Sequence, residues 1–308
     1  MKNIYNTRLD NGAYLQAFSI DPKIGSSELE EFLLAKEGDQ PAIIARDISL
    51  VKYLKNVDDL EVKLNLDKQY QVPELLKAYR EAIGRDSDAK GRYNGPVALV
   101  SEPVGIPLNF SKGGYYDFIA TKLTAVPHEL VPNKYPAGRT VKQLFEDNGI
   151  DPSERARFFG LAYLLITEDE NLSLVQRAKG MAIAPDCMAM PGSTPNPKFE
   201  AGFNFQEYLK QHISEEINEE FALKSPEFKI GGMLLMNDKS EIPFGVVEIN
   251  TDVPMLEISQ RLYGNQQAIK EHPIIYSVQM EGIDSLLKKY PIHPPTVRVL
   301  ETYQNRVG

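Results

Sequence analysis

The sequence has little of what marks secreted, zinc-binding or membrane proteins. Cys187 is the single cysteine among 308 residues, so no intrachain disulfide can form, which fits a reducing compartment. The four histidines and this cysteine are too dispersed for a zinc signature. No run approaches the ~18 apolar residues of a membrane span, and residues 1–10 hold no apolar signal core. We therefore expect a soluble cytoplasmic protein with no membrane partner.

The chain also lacks an excess of positive charge. It holds 34 Lys and Arg against 43 Asp and Glu, which gives a net charge of −9. Nucleic-acid-binding proteins normally carry a basic footprint, so we expect no nucleic-acid partner. An anionic substrate would need a local basic patch or a bound metal. Hydrophobic residues make up 42% of the chain, which is enough for a sizeable core in one large domain or two.

Hydrophobic patterns predict an α+β protein. The clearest signal is the apolar run 159–166, which a turn joins to a partly alternating strand at 172–179. Other predicted strands are 11–24, 96–100, 233–236 and 244–249, with a hairpin at 108–123, and predicted helices are 26–35, 74–83, 140–148, 205–221, 280–289 and 295–304. A proline-rich connector at 125–139 places a domain boundary near residue 150. We expect domains at 1–150 and 151–308.

Four glutamates crowd positions 215–220 of the predicted helix 205–221. At about 100° per residue, Glu216, Glu219 and Glu220 share an arc of about 100°. Like charges at this spacing repel by roughly 0.2–0.5 kcal/mol per pair. A divalent cation would turn the repulsion into binding, because Mg²⁺ prefers hard oxygen ligands. A solvated acidic face is the alternative, and the cluster taken alone favours it.

The hairpin, the loop after it and the acidic helix occur in an order that resembles the Nudix hydrolase family. The family motif is Gly, five residues, Glu, seven residues, and then Arg-Glu-aliphatic-x-Glu-Glu-x-Gly-aliphatic. The matching positions are Glu207, Glu216, Ile217, Glu219, Glu220 and Leu223. Upstream, residues 174–180 resemble the strand that enters the family's site. Met190-Pro191-Gly192-Ser193 resembles its Pro-Gly-Gly turn.

Three positions depart from the motif: Glu215 replaces its Arg, Ala222 its second Gly, and Ala201, beside Gly202, its first Gly. The family's Arg supports the glutamates, whereas Glu215 adds negative charge. Another cation, Lys210 or Arg177, would have to support them, or metal affinity would be weaker. Ala222 predicts a helix end that needs no positive φ.

Further matches are Ala184-Pro185-Asp186, Met190-Pro191-Gly192, Pro195-Asn196-Pro197, Arg92-Tyr93-Asn94-Gly95 and Tyr116-Asp117-Phe118-Ile119-Ala120-Thr121. They resemble a Nudix subgroup with a long N-terminal domain that hydrolyses UDP-glucose and UDP-galactose. Its motif also lacks the usual Arg and Gly. The resemblance implies a Nudix α/β/α sandwich with a mixed sheet, preceded by an N-terminal α+β domain.

The resemblance also implies a reaction. A nucleoside diphosphate derivative, most specifically a UDP-sugar, would be hydrolysed to UMP and a sugar 1-phosphate. Glu216, Glu219 and Glu220 would be the catalytic carboxylates and would hold Mg²⁺, with Mn²⁺ as the alternative ion. The metal would lower the pKa of a bound water. An inactive Nudix module that binds a nucleotide as a sensor or scaffold is the alternative function. The oligomeric state stays open.

Five residues outside the helix are candidates for substrate binding. Arg177 and Lys179 alternate along a strand and suit a pyrophosphate, although a solvated strand surface is the alternative. Gly192 would let the backbone approach the helix or a ligand closely, or would form a plain turn. Tyr116 could stack on the base, with core packing as the favoured alternative. Asn94 could contact a base edge, with a turn as the alternative.

Two further residues are singled out near the motif. Some Nudix enzymes recruit a late glutamate as general base, and Glu271 before Pro273 is the best candidate here. His212 lies one helical turn before Glu216, so it is expected either to contact that carboxylate or to be exposed.

Overall fold

A computed structural model describes residues 4–36, 48–89, 96–100, 107–168, 170–178, 186–238 and 243–307. The strands are β1 Ile4–Arg8, β2 Tyr14–Ser19, β3 Ile48–Leu54, β4 Val62–Gln69, β5 Pro96–Val100, β6 Leu108–Gly114, β7 Gly160–Thr167, β8 Asn171–Gln176, β9 Met188–Ala189, β10 Gly192–Ser193, β11 Phe228–Asp238, β12 Pro243–Thr251 and β13 Ile274–Gln279. The helices are α1 Ser26–Lys36, α2 Lys77–Ala89, α3 Tyr115–Ala120, α4 Val141–Asp147, α5 Phe205–Phe221, α6 Met255–Leu262, α7 Gln266–Glu271, α8 Ile283–Lys289 and α9 Pro294–Val307. None of the helices in these segments combines the length and apolarity that crossing a membrane requires.

Ten of these strands form one mixed sheet. Its hydrogen-bonded order is β1-β2-β13-β8-β7-β12-β11-β3, with β9 paired to β8 and β10 paired to β7. The β12–β7 pair is parallel, and β2–β13 and β11–β12 are antiparallel. The predicted β7–β8 hairpin closes at Ile166 and Leu172. Beyond that pair, β7 hydrogen-bonds to β10 and β8 to β9.

Helices cover both faces of this sheet because the strand side chains alternate between two apolar cores. Along β7, Tyr163 and Leu165 belong to the core under α5, whereas Leu164 belongs to the opposite core. The opposite core takes buried side chains from α1, α8 and α9. The result is an α/β/α sandwich with a mixed sheet, and the predicted fold class is confirmed.

A second sheet lies in the first half of the chain, with the order β4-β6-β5. Helices α2, α3 and α4 pack together in a separate core that includes Tyr116 and Phe145. The sheet also contributes to the core under α5, where the Phe110 and Phe205 ring centroids are 5.6 Å apart. The second sheet therefore packs directly beside the acidic helix.

The first 150 residues contribute strands to both sheets. β2 hydrogen-bonds to β13, and β3 hydrogen-bonds to β11, so both join the sheet of the second half. The division into 1–150 and 151–308 stays a prediction. The sheet shows that strands from both ranges share one layer of the sandwich.

Two local predictions are wrong. Helix α2 does not end at Gly84 but continues to Ala89. The predicted hairpin at 108–123 is instead strand β6 followed at once by helix α3. The reason is a cap: the Asp117 carboxylate accepts a hydrogen bond from the Gly114 N–H at 2.8 Å, which satisfies the first turn of α3.

Candidate active site

Helix α5 separates an apolar stripe from an acidic flank. The Asn204 side chain caps the helix by accepting a hydrogen bond from the Glu207 N–H at 3.2 Å. The buried stripe is Phe205, Leu209, Ile213, Ile217 and Phe221. On the flank, the Glu216 and Glu220 side chains are only 23% and 9% exposed. A simple solvated face would leave both carboxylates largely in water.

The end of α5 corrects one prediction. Ala222 adopts the left-handed conformation, with φ 51° and ψ 34°, and its N–H donates to the Asn218 carbonyl. The helix therefore still ends in the conformation that favours glycine, and the expectation that Ala222 avoids a positive φ is wrong. Before the helix, Gly202 has φ +79°, so the glycine beside Ala201 takes the left-handed conformation there.

The end of helix α7 brings a carboxylate and an imidazole to Glu220. His272 Nε2 lies 2.8 Å from Glu220 Oε2. One ligand atom from each of Glu220, Glu271 and His272 lies within 4.8 Å of the other two. Glu271, the candidate general base expected from the sequence, thus lies beside Glu220 of the acidic helix. His272 was missed, because nothing in the local sequence reports the contact between α7 and α5.

The carboxylates perturb one another. Burial, followed by the negative charges of Glu220, Glu219, Glu271 and Glu215, raises the pKa of Glu216 to about 7. Burial also raises the pKa of Glu271, with the charge of Glu220 as the next cause. Both shifts disfavour a full set of charged carboxylates, so the cluster gains from a nearby cation.

Arg177, just after β8, supplies positive charge near this cluster. Burial lowers the pKa of the Arg177 guanidinium, while electrostatic interactions with Cys187, Glu220 and Glu271 act in the opposite direction. The backbone is fixed as well, because the Arg177 N–H donates to the Cys187 carbonyl at 3.0 Å. Arg177 therefore interacts electrostatically with two carboxylates of the cluster.

The other candidate cation faces elsewhere. Lys210 Nζ pairs with Asp58 Oδ2 at 2.6 Å, next to the second sheet. Glu215, which stands where the family has Arg, is exposed and accepts a hydrogen bond from Gln211 at 2.7 Å. Of the two cations considered, Arg177 is the one that interacts with the carboxylates.

A hydrogen-bond chain runs from the sheet toward Glu216. The Tyr163 hydroxyl lies 2.6 Å from Ser193 Oγ, which lies 2.8 Å from His212 Nε2. His212 Nδ1 is 3.9 Å from Glu216 Oε1, beyond hydrogen-bond length. The Tyr208 ring stacks on the imidazole, and burial lowers the pKa of His212, so the ring is neutral near pH 7. His212 thus adjoins Glu216 and is not an exposed surface residue.

Gly192 makes a close backbone approach to strand β7. It pairs with Ala162, and a Cβ at this position would collide with the Leu161 carbonyl oxygen. Absence of a side chain is therefore needed where β10 meets β7. A substrate contact at Gly192 stays a prediction.

The remaining candidates lie in different places. Tyr116 is 4% exposed and packs in the core of α2, α3 and α4, which is the core-packing alternative. Its neighbour Tyr115 is half-buried and interacts electrostatically with Arg177. Asn94 and Lys179 lie outside the described residues, as do Arg92, Tyr93, Gly95, Ala184 and Pro185.

The donor set at the end of α5 fits a divalent cation. His272 is 4% exposed, and neither of its ring nitrogens has a hydrogen-bond partner among the described residues. Two carboxylates accompany it, and such oxygens are the preferred ligands of divalent cations. Of the predicted ligands Glu216, Glu219 and Glu220, the described part of the chain places only Glu220 in this three-residue group. Catalytic and metal-binding roles for all three glutamates stay predictions.

No protein-family model and no curated protein sequence matches the chain. Solved structures of Nudix proteins do show similarity. The MutT protein from Methanosarcina mazei Go1 is 17% identical with a TM-score of 0.32, covering 49% of this chain and 94% of its own. The Nudix domain of Shewanella oneidensis NrtR, complexed with ADP ribose, is 13% identical with a TM-score of 0.34, covering 54% and 97%. The Nudix hydrolase RenU from M. smegmatis is 12% identical with a TM-score of 0.31, covering 49% and 86%.

Proposed function

We propose that this protein is a metal-dependent hydrolase of nucleoside diphosphate derivatives. The observation that carries the proposal is the grouping of Glu220, Glu271 and His272, together with the electrostatic effect of the two carboxylates on Glu216. Burial and mutual repulsion raise the pKa of Glu216 to about 7. Carboxylates on a solvated face would keep ordinary values, whereas perturbed groups that converge in this way are typical of catalytic sites.

Each group has a chemical role in this proposal. A divalent metal, when bound, would neutralise diphosphate charge and lower the pKa of a coordinated water. Glu220, Glu271 and His272 would hold it. Glu216, with its pKa near 7, is suited to accept a proton near neutral pH. Arg177 presents a guanidinium, whose fork geometry matches phosphate oxygens.

The substrate that we propose is a UDP-sugar, which would be cleaved to UMP and a sugar 1-phosphate with Mg²⁺ or Mn²⁺. The support is the sequence resemblance in the loop 184–197 and in the segment 116–121.

The test is product formation from UDP-glucose with each metal. Glu216→Gln and Glu220→Gln should each lower kcat by roughly 10²–10⁴-fold while the circular dichroism spectrum is unchanged. Glu207→Gln is the matched control, since it makes the same change at an exposed site on the same helix. Unchanged product formation in both site variants would refute the assignment.

The alternative is an inactive module that binds a nucleotide as a sensor or scaffold. Glu215 motivates it, because this residue adds negative charge where the family has Arg. Calorimetry with UDP-glucose and Mg²⁺ separates the two functions. Binding without product, across a panel of nucleoside diphosphate derivatives, would favour the inactive module.

A further inference from the structure

We propose that Glu220, Glu271 and His272 form a mixed oxygen and nitrogen site that selects Mn²⁺ over Mg²⁺. The inference deepens the proposed function, since it rests on the same site and names its metal. It concerns metal binding, and its test does not depend on turnover.

The buried imidazole is the first argument. His272 is 4% exposed, yet neither ring nitrogen has a hydrogen-bond partner within the described segments. A buried polar atom without a hydrogen-bond partner is unfavourable, and ligation of a metal would remove that cost. The Glu220 carboxylate is close to this ring. Its Oε2 atom lies 2.8 Å from His272 Nε2, but the pair lacks the geometry of a hydrogen bond.

That separation suits two ligands of one ion. Ligand atoms about 2.1 Å from a metal and at right angles to each other are about 3 Å apart. The Glu271 carboxylate adds a third donor, and all three donor atoms lie within 4.8 Å of one another. A single cation can therefore contact all three side chains.

The backbone holds the donors in place before any ion arrives. The His272 N–H donates to the Ala268 carbonyl at 2.7 Å, and the Ala178 N–H donates to the Glu271 carbonyl at 2.9 Å. Asn265 caps the other end of α7. Glu220 stands on the last turn of the long helix α5. Sites built on fixed elements keep their donor geometry, which favours binding.

The donor chemistry sets the preference. Mg²⁺ dehydrates reluctantly and takes oxygen ligands. Imidazole nitrogen suits first-row transition ions, whose affinity rises from Mn²⁺ toward Cu²⁺. One nitrogen beside two carboxylates therefore favours Mn²⁺ over Mg²⁺ while retaining the oxygen ligands that Mn²⁺ accepts.

The experiment is electron paramagnetic resonance on metal-free full-length protein titrated with Mn²⁺. Pulsed spectra of the bound ion should show modulation from a coordinated ¹⁴N nucleus. Competition should show Mg²⁺ binding at least about tenfold more weakly. His272→Gln should abolish the ¹⁴N signal and weaken Mn²⁺ binding by at least about tenfold, with a smaller effect on Mg²⁺.

His212→Gln is the matched control, because it removes the other imidazole near the carboxylates and should leave the ¹⁴N signal intact. Bound Mn²⁺ without ¹⁴N modulation in the unaltered protein, or equal affinities for Mn²⁺ and Mg²⁺, would overturn the proposal. Neither measurement requires a folded variant. If the protein binds Mn²⁺ through nitrogen but forms no product, the metal-site proposal is supported. Only the hydrolase proposal is then refuted.

Discussion

At the scale of single residues, charge balance distinguishes this site from the motif that it resembles. Glu215 replaces the Arg, but it is exposed and hydrogen-bonded by Gln211. Positive charge reaches the carboxylates from outside α5, through Arg177 after β8. A motif match along α5 cannot reveal the contribution of Arg177, because Arg177 follows a strand and does not belong to this helix.

Glu216 links the site to stability. Its pKa rises from 4.5 to about 7 on folding, so the folded state holds this proton more tightly than the unfolded state. The resulting stabilisation is fully present below about pH 4.5 and is lost as pH rises through about 7. In metal-free protein near pH 8, Glu216→Gln should therefore increase the free energy of unfolding by roughly 1–3 kcal/mol.

Urea unfolding near pH 5 and near pH 8 measures this difference. Near pH 5 the gain from Glu216→Gln should be small, because the native carboxyl is already protonated. Glu207→Gln, which makes the same change at an exposed position of the same helix, is the matched control. An equal gain at both pH values would contradict the assigned pKa.

Ala222 is a second residue where stability can be gained. An L-residue in the left-handed conformation costs about 1–2 kcal/mol, which glycine avoids. Ala222→Gly should therefore stabilise the protein by about 1 kcal/mol in thermal unfolding. Ala201→Gly, outside the left-handed region, should instead lower stability through the entropy of the unfolded chain. The same sign for both changes would refute the explanation.

At the scale of elements, the sequence predicts a helix or strand correctly when the hydrophobic pattern within that segment is clear. The stripe in 205–221 gave the bounds of α5, and the apolar run at 159–166 gave β7. β13 was missed, since its pairing with β2 and β8 depends on residues far away in the chain. The same limit applies to the site: the glutamates of α5 were predictable, whereas His272 and Ser193 join it only through tertiary contacts.

The chain from Tyr163 through Ser193 to His212 connects β7, β10 and α5. A buried Tyr163 hydroxyl needs an acceptor, and Ser193 Oγ is its hydrogen-bond partner among the described residues. If Tyr163 donates to Ser193, then Ser193 donates to His212 Nε2. The imidazole proton then resides on Nδ1, which faces Glu216 at 3.9 Å. The chain thus favours the tautomer whose proton lies on the side of Glu216, although 3.9 Å is too long for a hydrogen bond.

Ser193→Ala should break this connection, while Ser193→Thr should retain it. In ¹⁵N-histidine-labelled protein near pH 8, the His212 signals should show a protonated Nδ1, and the alanine variant should lose this preference. We expect kcat of the Ser193→Ala variant to fall about tenfold with little change in KM. The reason is that Ser193 positions His212 and does not itself bind the substrate. An unchanged tautomer in Ser193→Ala would refute the inferred direction of the hydrogen bonds.

At the scale of the whole molecule, the two halves of the sequence interleave. In the main sheet, strands β13, β8, β7, β12 and β11 from the second half occupy the middle. β1 and β2 flank them on one side and β3 on the other. The core under α5 also takes Phe110 from the second sheet, and its ring is fully buried. The first half therefore covers both edges and part of one face of the second half.

This interleaving predicts that residues 151–308 do not fold alone. Without residues 1–150, β13 and β11 become open edges that invite aggregation, and the core under α5 loses Phe110. Thermal denaturation should show no cooperative transition for the fragment, and coexpression with 1–150 should restore one. A sharp transition for 151–308 alone would instead establish the division at residue 150. The edge strands would then be additions to a sandwich that is stable without them, and metal binding should survive in the fragment.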